Sequence, residues 1–87
     1  MPVHPFPADL RILIIEDSEI DFLITEAQLR KALPRDFELI WKKTFDTGLA
    51  SLLNEPPSMA LVDYFLFEEN GIDLIRTARA KGCRVPL

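Results

Sequence analysis

The 87-residue sequence contains one cysteine, one histidine and three glycines, and each scarcity removes a class of chemistry. Cys83 alone excludes an internal disulfide and fits a reducing compartment such as the cytoplasm. His4 lies in a proline-rich stretch, so neither a Ser-His-Asp triad nor a Cys/His zinc site finds a histidine on the scaffold. With glycine only at 48, 71 and 82, the chain has neither a G-x-x-x-x-G-K-[ST] loop nor a G-x-G-x-x-G turn to cradle a nucleotide. No apolar run approaches the roughly 18 to 20 residues that cross a bilayer. A net charge of -4 repels a phosphate backbone, and Lys42 and Lys43 beside Trp41 are too few to reverse that repulsion. Direct binding to nucleic acid or membrane is therefore not expected, and the chemistry left is that of carboxylates.

The hydrophobic share, 48%, is too high for a disordered segment, and the length allows a single domain or part of one. Residues 1–9 carry three prolines with no basic or apolar signal-peptide region, and read as a flexible arm preceding a folded segment over 10–87. Arg11 to Ile15 is a continuous apolar run suited to a central strand buried on both faces. Ser18 and Asp21 mark a helix start, Ile20, Leu23, Ile24 and Ala27 form its expected inner stripe, and Pro34 ends it near Leu33. Phe22, Leu29 and Leu33 widen that stripe beyond one face.

From Phe37 to Lys43 the pattern alternates with period two, and the lysines suit an edge strand. Phe45, Leu49, Leu52 and Leu53 predict a second helix, stopped by Pro56-Pro57. Met59 to Val62 predicts a third strand. After a loop, Ile72, Ile75 and Ala78 predict a third helix that Gly82 caps, and Val85-Pro86-Leu87 opens a fourth strand. Alternating strands and helices with short connections predict an α/β parallel sheet with right-handed crossovers.

The first strand runs into Glu16-Asp17 and the third into Asp63. If those strands are neighbours, their C-terminal ends bring three carboxylates into one crevice, where a hard cation such as Mg²⁺ offsets their repulsion. Two carboxylates then hold the ion while a third is available as a nucleophile toward phosphorus. Taken singly, an acidic pair before a helix also favours the helix dipole, and an aspartate after a strand is also a turn residue.

Ile14-Ile-Glu-Asp-Ser18, Leu61-Val-Asp-Tyr-Phe-Leu66 and Asn70-Gly-Ile-Asp-Leu-Ile75, in this order and spacing, resemble the receiver domain of two-component response regulators. The resemblance spans Arg11 to Leu87. It implies a flavodoxin-like parallel sheet, of order 2-1-3-4-5 in the complete family fold, with only the first three βα units and the start of strand four present here. It further implies that Asp63 accepts a phosphoryl group from a histidine kinase or histidine phosphotransfer protein. Asp17 and Asp63 would ligate Mg²⁺, Glu16 would act through a water, and the backbone carbonyl of Phe65 would complete the ligands. The expected role is that of a signalling phosphoacceptor and not an enzyme.

Two features depart from the family pattern. Phe67 stands where many members have proline, and Phe65 places a bulky group beside the acceptor, which predicts slow hydrolysis of the phosphoryl group. A receiver also continues with a Ser or Thr, a fifth strand ending in Lys, and a final helix. Without them, the expectation is either a longer natural protein or a chain that pairs with another copy through its incomplete sheet. The alternative function is accordingly a receiver-like binding or dimerisation module that does not switch. A Mg²⁺-dependent phosphatase is disfavoured because Phe65 replaces the second acid expected two residues after such a nucleophile.

Overall fold

A computed structural model of the chain describes residues 10–33, 36–63, 65–66 and 69–87, with Phe65, Leu66 and Glu69 described by their backbone alone. The proposed arm over 1–9, the helix-ending Pro34 and the position of Phe67 lie outside the described residues.

Strand β1 (Arg11–Ile15) is central, flanked by β2 (Glu38–Lys42) and β3 (Met59–Val62), all parallel in the order β2-β1-β3. Both faces of β1 are covered: Ile12, Leu13 and Ile15 are fully buried and Ile14 nearly so. This explains the unbroken apolar run, since an alternating strand would leave polar groups unsatisfied on one side. β2 forms an edge among the described strands, as its alternation and lysines suggest.

Helix α1 (Glu19–Ala32) connects β1 to β2, and α2 (Phe45–Asn54) connects β2 to β3. Ser18 caps α1 by accepting from the Asp21 N–H, and Thr44 caps α2 by accepting from the Thr47 N–H. On the α2 side of the sheet, Leu13, Ile15 and Ala60 pack with Leu52, and with Leu74 and Ala78 of α3 (Gly71–Ala80). Phe45, Leu49 and Leu53 close in around this cluster, so the expected inner face of α2 is the observed one. Burying a side chain such as Leu52 or Leu74 contributes about 1.5–3 kcal/mol.

Helix α1 turns a different face to the sheet from the one its sequence suggests. Ile20, Leu23 and Ile24 are 70%, 51% and 51% exposed, and Ala27 is exposed too. Phe22, Thr25, Glu26 and Leu29, at the alternative helical spacing, are the partly covered positions. The cause is an aromatic lock: the Phe22 ring stacks on that of Trp41 at 4.2 Å, with 5° between the planes. Such a pair adds about 0.5–1.5 kcal/mol beyond the area it buries.

Beyond β3 the structure differs from a simple loop. β4 (Phe65–Leu66) and β5 (Glu69–Asn70) form a small antiparallel ladder, Phe65 opposite Asn70 and Leu66 opposite Glu69. Asn70 then caps α3, its side chain accepting from the Asp73 N–H at 2.8 Å. In α3 it is Leu74 and Ala78 that are buried, while Ile72 is 42% exposed and Ile75 half-buried. Gly82 ends the helix with φ of +94°, a conformation glycine reaches without a Cβ penalty. Val85 to Leu87 is not a regular strand, but the Ala60 N–H donates to the Pro86 carbonyl at 2.9 Å, so the segment runs beside β3.

Candidate functional site

The β1–β3 pairing sets the site. Ile15 lies in register with Val62, and the Asp63 N–H donates to the Ile15 carbonyl at 2.9 Å, extending the ladder by one residue. Asp63 is therefore held beside the point where β1 gives way to Glu16 and Asp17. Carboxylate oxygens of Glu16, Asp17 and Asp63 all lie within 4.8 Å of one another. These are the three acids that the sequence singles out. Phe65 falls two residues on, at the start of β4.

The acids differ in environment. Glu16 is buried, while Asp17 and Asp63 are half-buried. Burial pushes the Glu16 carboxyl up to about 7, and its hydrogen bond with Asp63, the Asp63 charge and a hydrogen bond with Asp17 push the same way. The Ser18 N–H donates to Glu16 Oε2 at 3.3 Å and pulls in the opposite direction. Near neutrality, Glu16 is thus partly protonated. A proton is one way to relieve three crowded carboxylates, and a divalent cation is another. The donor set is all hard oxygen, as Mg²⁺ prefers, so the residues fit that ion.

Two residues outside the acidic trio shape the site. Gly71 opens α3 so close to the Asp63 backbone that an added Cβ would collide with the Asp63 carbonyl oxygen and stand 2.9 Å from Val62 Cγ1. Trp41, at the end of β2, donates its indole N–H to the Glu16 carbonyl at 2.7 Å. The sequence marks Asn70-Gly71 only as part of the motif that opens the third helix, and the contact with Asp63 was not legible in it. Trp41 was legible only as a strand residue.

No family model matches the sequence, and no curated protein matches it. Solved structures do match. The chain is similar to the MaeR response regulator bound to beryllium trifluoride, at 26% identity and a TM-score of 0.76, over 87% of this chain and 62% of that one. It is likewise similar to an Asp-to-Ala mutant of the MaeR response regulator bound to sulfate, at 25% identity and a TM-score of 0.78, over 91% of this chain and 64% of that one.

The strand order, the interleaved helices and these neighbours give the chain the flavodoxin-like fold of a response-regulator receiver. The chain spans less than two thirds of the length of the MaeR chains it matches.

Proposed function

We propose that Asp63 is a phosphoacceptor, taking a phosphoryl group from a phosphohistidine on a histidine kinase or histidine phosphotransfer protein. The observation that carries this reading is the convergence of three carboxylates at the ends of two adjacent parallel strands in a receiver fold. Asp17 and Asp63 would ligate Mg²⁺, with Glu16 acting through a water and Phe65 lending its backbone carbonyl. Magnesium would offset charge on the incoming phosphoryl group.

In the transfer, an Asp63 carboxylate oxygen bonds to phosphorus as the donor's N–P bond breaks, and the imidazole nitrogen leaves with the electron pair. The Ile15 carbonyl fixes the Asp63 backbone, which keeps the attacking oxygen in place. Glu16, buried and prone to hold a proton, would give that proton up to a bound cation's positive field. The bound anions of the similar MaeR structures, beryllium trifluoride and sulfate, support a site for a tetrahedral anion in this fold. Among the described residues no helix is long and apolar enough to cross a membrane, and a cytoplasmic signalling role accords with this reading.

Incubation with a small phosphodonor and Mg²⁺ tests the proposal. Mass spectrometry should show one added phosphoryl group in the wild-type chain and none in Asp63→Asn. Absence of modification in the wild type contradicts it.

A second reading, a receiver-like module that binds or dimerises without switching, is favoured by the exposed Ile20, Leu23 and Ile24 on α1. Under it the chain sediments as a dimer in analytical ultracentrifugation and the phosphodonor leaves no mark. A monomer that takes up the phosphoryl group excludes it.

A further inference from the structure

Trp41 is the only tryptophan of the chain, and it lies on β2, the neighbour of β1 that carries none of the three acids. Its indole nevertheless reaches the site. The carbonyl it binds at 2.7 Å belongs to the peptide unit joining Glu16 to Asp17. The orientation of that peptide plane sets the direction in which Asp17 leaves the backbone. On the other side of the same residue, the Glu16 N–H donates to the Lys42 carbonyl at 3.0 Å. Both backbone groups of Glu16 are thus held from consecutive residues of β2.

The indole is itself restrained. The Phe22 ring stacks on it, and Lys43 Nζ stands 4.6 Å from the ring centre. Phe22 belongs to α1, so one side chain ties β2, the first turn of α1 and the β1–α1 junction together. The arrangement exceeds what packing needs: a phenylalanine in place of Trp41 would keep an aromatic pair but would leave the Glu16 carbonyl without its donor. A short hydrogen bond to a turn carrying two closely spaced acids holds that turn in one geometry before a cation arrives.

We infer that Trp41 is a positioning residue of the acidic site, presenting Glu16 and Asp17 to the cation through its indole N–H bond to the Glu16 carbonyl. This role rests on the reading of Glu16, Asp17 and Asp63 as a Mg²⁺ site. Because the bonded carbonyl lies one peptide from Asp17, cation binding also perturbs the indole, which makes Trp41 a built-in reporter of occupancy.

Calorimetric titration of the chain with Mg²⁺, alongside ¹⁵N spectra of its single indole N–H, tests the inference. In the wild type, the indole resonance should move with the same midpoint as the heat. Trp41→Phe, folded by circular dichroism, should bind Mg²⁺ roughly fivefold more weakly, the loss expected for one hydrogen bond. Leu53→Ala, on α2 and apart from the indole and the acids, keeps the indole donor and should leave Mg²⁺ affinity near the wild-type value even if its melting temperature falls.

Equal affinity in Trp41→Phe and wild type overturns the role. So does a weakening that simply tracks melting temperature across both variants. If Trp41→Phe does not fold, the wild-type spectra decide: an indole resonance that stays still while the amides of Asp17 and Asp63 move contradicts the inference. A wild-type chain that gives neither heat nor spectral change overturns the cation site itself, a failure distinct from the others.

Discussion

Gly71 leaves no room for a side chain against Asp63: any Cβ at that position would run into the Asp63 carbonyl oxygen. The first turn of α3 and the end of β3 are therefore in backbone contact at the residue proposed to take the phosphoryl group. Gly71→Ala forces one of them to move. It should destabilise the chain by about 1–3 kcal/mol in urea titration, the usual cost of overpacking. It should also reduce phosphorylation by a small phosphodonor more than the stability loss alone explains.

The raised proton affinity of Glu16 ties stability to pH. Its carboxyl titrates near 7 in the folded chain against a reference of 4.5, so the folded state binds more protons between those values. Stability is then fully present below about 4.5 and declines as pH rises through 7, by an amount on the order of 3 kcal/mol. Glu16→Gln, which cannot ionise, should flatten this dependence in melting curves recorded from pH 5 to 8 without metal.

A proton and a cation compete for the same oxygens, so Mg²⁺ should stabilise the chain more at pH 8 than at pH 6. The difference is read as the rise in melting temperature on adding the metal. Asp63→Asn removes one ligand and should lose most of that rise at either pH. It should also melt higher than the wild type at pH 8 without metal, because one of three crowded negative charges is gone.

The rotation of α1 is testable on stability alone. Phe22→Ala, which removes the ring stacked on Trp41, should cost about 2 kcal/mol. Ile24→Lys, on the exposed face, should change monomer stability by only about 0.5 kcal/mol or less. If the chain dimerises through this face, Ile24→Lys should shift it to monomer in analytical ultracentrifugation.

The contrast between these two substitutions marks where sequence patterns stop being informative. The central position of β1 was legible because an unbroken apolar run has no face to give to water. The meeting of Glu16, Asp17 and Asp63 followed from two such runs ending in acids. The rotation of α1 was not legible, because Ile20, Leu23, Ile24 and Ala27 and also Phe22, Leu29 and Leu33 have helical spacing. A residue on another strand, Trp41, decides between the two stripes. In α3 the choice of Leu74 over Ile72 goes with the close seating of Gly71 on Asp63, again a contact between elements. The β4–β5 ladder pairs two residues with two, too few for a period to register. The elevated proton affinity of Glu16 depends on burial, which no local pattern reports.

The most direct test is to locate the modification. An acyl phosphate reduced with borohydride becomes a homoserine, which marks the residue that carried it. After treatment with a small phosphodonor, peptide mapping should find homoserine at position 63 when Mg²⁺ is present and none when the ion is chelated. Homoserine at another acid, or at no position in a folded, Mg²⁺-loaded chain, contradicts the assignment of Asp63 as the phosphoacceptor.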